Sequence, residues 1–339
     1  DPGRASASVA VYADDDDMLV VSPAAGVQAQ AGAHATIDAA IAADTVTGAS
    51  VDVVTSASPA PVREQREEGA LGVTLALPRD TTVTARAIGS HEHDDDVVWG
   101  WALASRELAD RNTTIELGWG HGESWITNAI DASFRARRTD DRATARVTQV
   151  IDARTYVDLL VDLSRTSGYQ ASPYRAIAIA EPAMPAVVFE DEATPRLRHT
   201  GAIAIRVRRA IGDRWFAHAG YRAVADDWGV ASHTADARAI VETDDATWRF
   251  GASLRAYTQT AADFWRARYT IEDALRTRDR TLARMRSLGA ALTIDRLIDD
   301  DRAARVQLQV GATSYTWPDD PLERARIALV TMIAITSDY

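Results

Sequence analysis

The chain has 339 residues, is 46% hydrophobic and carries a formal net charge of −12. That hydrophobic share excludes a disordered polymer, the negative charge argues against a nucleic-acid partner, and no apolar run is long enough for a membrane-crossing helix. Cysteine is absent, which excludes disulfides and thiolate metal sites; lysine is absent too, so all 37 basic residues are arginine.

The opening DPGRASASVAVY lacks a charged-plus-apolar leader, as expected of an exported chain in its mature form. From there the hydrophobic period is two almost everywhere, and no stretch carries the i, i+3, i+4, i+7 pattern of an amphipathic helix. SASVAVYA is the first strand, running into the acidic tip DDDD at 14–17. TYVDLLVDLSR sets Val157, Leu159, Val161 and Leu163 against Tyr156, Asp158 and Asp162. HTGAIAIRVRRA sets Ile203, Ile205 and Val207 against Arg206 and Arg208. TWRFGASLRAYTQ sets Trp248, Phe250 and Leu254 against Arg249, Ser253 and Arg255. AARVQLQVGATSY sets Val306, Leu308 and Val310 against Arg305, Gln307 and Gln309. The last stretch, RARIALVTMIAITSDY, alternates Ile327, Leu329, Thr331, Ile333 and Ile335 with its other face and ends on Tyr339.

Connections alternate in length along the chain. AGAH, LPRD, ADRN, DART, IGDR, TDDA and DDDR are tight, whereas long loops are expected at about 47–67, 122–141, 168–195 and 261–281. Strands with one apolar and one polar face, joined alternately by short turns and long loops, predict an all-β fold. The expectation is a single transmembrane up-and-down antiparallel β-barrel over 1–339 with about sixteen strands, both termini and the short turns being periplasmic. A soluble β-sandwich would have shorter strands and less regular loops, and no fixed repeat supports a solenoid. The expected location is the outer membrane of a Gram-negative bacterium, with its lipids as surroundings. The terminal strand ending at Tyr339 resembles the signal read by the barrel-assembly machinery. Trp99, Trp101, Trp119 and Trp125 near loop ends, and Trp215 and Trp248 after turns, are expected to form the interfacial girdles.

The face opposite the aliphatic one looks into the lumen. Alternation assigns Arg86, Arg146, Arg206, Arg208, Arg222, Arg238, Arg249, Arg255 and Arg305 to it, together with Arg324 and Arg326. Asp38, Glu116, Asp158 and Asp162 interleave with them. Such a surface either keeps the interior wet or selects small anionic or zwitterionic solutes, because arginine forks match carboxylate and phosphate. Two long loops are candidate constrictions or lids: one contains Asp52, the other Tyr169, Tyr174 and Arg175.

Catalytic chemistry finds little purchase. His91 and His93 in HEHDDD share one side of a strand and are weak candidates for zinc or copper, set in what reads as an ordinary acidic turn. DDDD lacks the spacing and glycine of a calcium loop. His218, Arg222 and Asp226 read as a lumen network, and no phosphate loop, zinc-protease motif or nucleophile elbow is present. No enzyme and no cofactor are expected.

DTVTGASVDVVTSASP, LADRNTTIELGWG, RTSGYQASPYRAI, YRAVADDWGVASHTADARA and TQTAADFW resemble segments of one family of bacterial outer-membrane β-barrel proteins known as a domain of unknown function. The resemblance implies a location and a porin-like architecture, with genes often beside small lipoproteins and periplasmic redox or flavin-transfer proteins. It brings no substrate and no catalytic residues. Two functions follow: a porin-like channel for small hydrophilic solutes, or a plugged or scaffold barrel anchoring a lipoprotein or a periplasmic redox partner.

Overall fold

The computed structural model describes residues 3–48, 62–180, 187–271, 273–322 and 324–339. Continuous alternation leaves two-faced strands whose edges must be paired, and closure pairs them all. β1 (Arg4–Asp14), β2 (Leu19–Gln30), β3 (Ala35–Gly48), β4 (Val62–Leu77) and β5 (Thr81–Glu92) begin the wall. β6 (Asp95–Leu108), β7 (Thr113–Ile126), β8 (Ala136–Asp152) and β9 (Thr155–Gly168) continue it. A small hairpin, β10 (Ala176–Ala180) and β11 (Val187–Asp191), stands apart. The wall resumes with β12 (Leu197–Ile211), β13 (Trp215–Asp226), β14 (Ala231–Glu242) and β15 (Trp248–Gln259). It ends with β16 (Met285–Asp299), β17 (Ala304–Thr316) and β18 (Ala325–Asp338).

Sixteen of these strands make one closed up-and-down barrel, in which β18 pairs with β17 on one side and β1 on the other. The closing seam runs from Arg4 opposite Asp338 to Asp14 opposite Ala328, and Arg4 Nε donates to Asp338 Oδ1 at 2.8 Å.

Seven tight turns, at 31–34, 78–80, 109–112, 153–154, 212–214, 243–247 and 300–303, lie at the end that also holds the start of β1 and the finish of β18. Turn chemistry is local: Arg79 and Asp80 both take positive φ, 64° and 49°, the mirror-image turn that suits the twist of paired strands. Longer connections sit at the other end, at 127–135, 169–196, 260–284 and 317–324. The segment expected as a loop at 122–141 is shorter than its composition suggests. Trp125 pairs with Asp96 and with Arg137, so the ladder runs on after the outward residues have turned polar. Strands that outreach the apolar band look like loops in the sequence.

Outward positions carry the aliphatic band. Leu71, Leu117, Ile203, Leu254, Leu292 and Ile333 are all more than half exposed, as a hydrocarbon-facing surface requires. Trp119 and Trp215 share this face, and Trp248 stacks on Phe250 with centroids 6.1 Å apart. Trp99 and Trp101 do not. They alternate with outward Val98 and Gly100, so their indoles enter the lumen rather than a girdle. Arg324 also departs from expectation: β18 starts at Ala325, leaving Arg324 exposed in the loop end, its carbonyl accepting from Trp317 N at 2.9 Å.

A packed apolar core forms at the loop end, where Trp228, Phe264, Trp265, Leu282 and Trp317 come together. Beside it Ile177 and Ile179 of β10 pack on Tyr269. Carboxylates with nearly buried side chains tie the loops of this cap to one another. Glu192 accepts from Arg175 at 2.8 Å and Thr277 at 2.5 Å, and Asp320 from Arg280 at 3.1 Å and Arg278 at 3.3 Å.

Candidate functional site: the barrel lumen

Along part of the circumference the inward charges are tied in pairs across neighbouring strands. Arg86 Nη1 of β5 lies 3.3 Å from Asp38 Oδ2 of β3. They meet over Gly72 of β4, where a β-carbon would come within 2.2 Å of Asp38 Oδ1. Arg146 donates to Glu116 at 3.0 Å, whereas Asp158 accepts from the neutral Thr148 hydroxyl at 2.6 Å and keeps its charge, opposite Arg206 of β12 in the register. Arg142, not among the residues that alternation assigns to the lumen above, holds Asp162 through Nε at 2.8 Å and through Nη2 as well. Arg249 forks onto Glu242, and Arg305 reaches Asp295 at 2.6 Å. Pairs lining a water-filled space contribute about 0–1 kcal/mol each to stability. Their larger effect is to cancel the local field.

β12 to β15 are different. Arg206 and Arg208 of β12, Arg222 of β13, Arg238 of β14 and Arg255 of β15 all point inward, and none makes an ion pair among the described residues. Arg208 spends one donor on the Tyr156 hydroxyl and lies over that ring, 5.3 Å from its centroid. His218 sits between Arg208 and Arg238 in the register. Asp226 and Glu242 are held at the two ends by Arg198 and Arg249, which leaves Asp236 of β14 and, across the β9 seam, Asp158 as the carboxylates among five arginines. The spacing of Arg206, Gly220, Asp236 and Arg255 in one cross-strand row keeps that carboxylate low against the wall: a β-carbon on Gly220 would lie 2.7 Å from its Oδ1.

A third stretch of wall is apolar. The inward residues of β6 are Val97, Trp99, Trp101 and Leu103 in succession. Facing them on β7 are Gly118, Gly120 and Gly122, and the indoles lie across these glycines. The signal was present in WGW and GWGHG, since glycines at alternate strand positions mark a close approach.

The remaining candidates divide. Asp52 lies outside the described residues. Tyr169, Tyr174 and Arg175 belong to the cap, and Tyr169 N also donates to the Arg137 carbonyl of β8 at 2.9 Å. Tyr169 meets Phe134 edge-on at 5.3 Å, the Tyr174 hydroxyl accepts from Ala129 N at 2.8 Å, and Arg175 reaches Glu192 and Asp279. Burial, with Glu192 and Asp191 nearby, pushes the Tyr169 phenol up to about 12. His91 faces outward, its Nδ1 2.5 Å from Asp96 Oδ1, and His93 falls in the following turn. Among the described residues no three His, Asp or Glu side chains gather as metal ligands would.

A closed antiparallel barrel, aliphatic outside and charged within, is a β-barrel of the outer-membrane type. The chain belongs to the DUF3570 family of proteins of unknown function, whose profile matches residues 51–324. Among solved structures it is similar to CdiB from Acinetobacter baumannii, with a TM-score of 0.58 and 10% identity over 100% of this chain and 60% of that one. It is also similar to a bacterial polysaccharide outer membrane secretin, with a TM-score of 0.55 and 10% identity over 99% and 98% of the two chains. A third is the TodX monoaromatic hydrocarbon channel (deltaS2 mutant), with a TM-score of 0.51 and 9% identity over 100% and 91%. The chain thus spans less than two thirds of CdiB. At such identities the likeness is one of fold alone. No curated protein matches the sequence.

Proposed function

We propose that this barrel is an outer-membrane channel for small hydrophilic solutes, with a preference for anions. The observation that carries the reading is the block of five arginines on β12–β15, none of them in an ion pair among the described residues, in a lumen whose other charges are largely cancelled. Unpaired guanidinium groups along a wet wall concentrate anions and offer carboxylates or phosphates a two-pronged contact. A sixteen-stranded wall is wide enough to leave an aqueous passage, and channels are among the solved barrels of similar fold. In this reading the short turns and both ends of the described chain face the periplasm, and the cap faces outward.

Planar-bilayer recording on the purified protein is the test. Ohmic steps with a reversal potential displaced toward the anion in a potassium chloride gradient are expected. Electrical silence together with a co-purifying small lipoprotein would replace the channel by a scaffold.

A further inference from the structure

We infer that the lumen holds a separate sugar-stacking subsite, in which Trp99 and Trp101 take the flat faces of a gluco-configured oligosaccharide. The inference rests on the reading of the lumen as a water-filled passage, but it uses a different wall from the arginine block.

Four successive inward residues of β6 are apolar: Val97, Trp99, Trp101 and Leu103. An aqueous lumen gives no reason for such a column unless something covers it. The two indoles are pressed flat by their neighbours. A β-carbon on Gly122 would lie 2.1 Å from Trp99 Cε3, and on Gly120 2.4 Å from Trp101 Cε3. One face of each ring is therefore spent on β7. The opposite face is open to the lumen: both tryptophans are half-buried, and no ring or guanidinium stacks on either among the described residues. Neither indole N–H finds a protein acceptor among them, so both stay available to a ligand.

The edges of this platform choose the ligand. On one side stand Arg86 and Asp38, on the other Arg142 with Asp162 and Arg146 with Glu116. Both margins thus offer donors and acceptors. An aromatic hydrocarbon would match the indole faces but strip water from these charges without replacing it. A small anion would match only arginines that already have partners. A pyranose with equatorial hydroxyls meets both demands: its C–H face lies on the indole, and its hydroxyl rim donates to carboxylates and accepts from arginines. Side chains two apart on one strand lie about 7 Å from each other, which presents two rings in line and favours a chain of sugars over a single one.

The test is calorimetric titration of the full protein in detergent micelles with cellotriose and maltotriose, which requires no conduction. Saturable binding of at least one trisaccharide is expected, weakened about tenfold in Trp99→Leu/Trp101→Leu. Trp119→Leu, whose ring is on the outer face, should leave it unchanged. Trp99→Phe/Trp101→Phe keeps the glycines covered and should weaken binding less, so a folding failure of the leucine variant leaves the question answerable. No saturable binding by the wild type, or equal binding by the phenylalanine and wild-type proteins, overturns the subsite. Binding in micelles with silent bilayers would instead overturn the channel while the subsite stands. Anion-selective steps without sugar binding would do the reverse.

Discussion

Trp101 lies over Gly120 so closely that a β-carbon on the glycine would come within 2.4 Å of the indole Cε3 and 3.0 Å of the Gly100 carbonyl oxygen. The aromatic shields the backbone that glycine leaves bare, and the glycine makes room for the aromatic. Gly120→Ala should therefore displace Trp101 and cost about 1–3 kcal/mol, the usual range for overpacking. Gly100→Ala is the control, because its β-carbon would meet nothing nearer than 4.0 Å. Urea midpoints in micelles should fall for the first and hold for the second.

Leu308 and Gln307 are neighbours on β17 with opposite surroundings. Leu308 is in the outward set, paired with Ile294 and Ile333, whereas Gln307 faces inward beside Asp295. Leu308→Arg places a guanidinium in hydrocarbon, costing about 2–4 kcal/mol near mid-membrane. Gln307→Arg places the same group in water next to a carboxylate. The first should lower the yield of heat-modifiable, folded barrel on unboiled gels and the second should not. Equal yields would mean that this strand does not face lipid as its alternation demands.

Those two residues also show what was legible in the sequence. A period of two needs only a polar and an apolar solvent to be read, so strand number, closure and the facing of Arg206 or Leu308 follow from alternation and turn length. Parity alone does not say which arginine has a partner. That depends on the stagger between strands, which brings Arg142 diagonally within reach of Asp162 and puts His218 between Arg208 and Arg238. Aromatics near strand ends commonly sit in a girdle, and that is what the sequence alone suggests for Trp99 and Trp101. Their parity, opposite to Val98, places them inside. The cap was hidden for another reason. Its core joins Trp228, Phe264 and Trp317 from three connections, and no local period announces contacts so distant in the chain.

The cap should fail independently of the barrel. Asp320 has a side chain only 2% exposed and serves Arg278, Arg280 and the Leu322 amide, while the Arg280 side chain is only 5% exposed. Asp320→Ala removes from both guanidinium groups the buried carboxylate they share, a loss of about 3–5 kcal/mol for a buried pair. None of these groups belongs to a barrel strand. The expected result is rapid proteolysis within 260–284 while the folded gel mobility persists. Loss of the folded form itself would show that the cap and the wall assemble as one unit.

Lumen selectivity offers the last test, because one substitution can change the field with little change in shape. Asp162 accepts from Arg142 through Nε at 2.8 Å, and the Arg142 side chain is 47% exposed to the lumen. Asp162→Asn removes a negative charge and frees a guanidinium that remains in water, so the stability loss should stay near about 1 kcal/mol. The wall gains a net positive charge, and the reversal potential in a salt gradient should move further toward the anion. Arg206→Gln takes one charge from the unpaired block and should move it the opposite way. Both shifts should shrink at high ionic strength, where the field reaches only a few ångströms. Asp162→Asn combined with Arg142→Gln restores the net charge and should return the potential to that of the unmodified protein. Shifts in one common direction for the two single variants would mean that passage is governed by width rather than by charge.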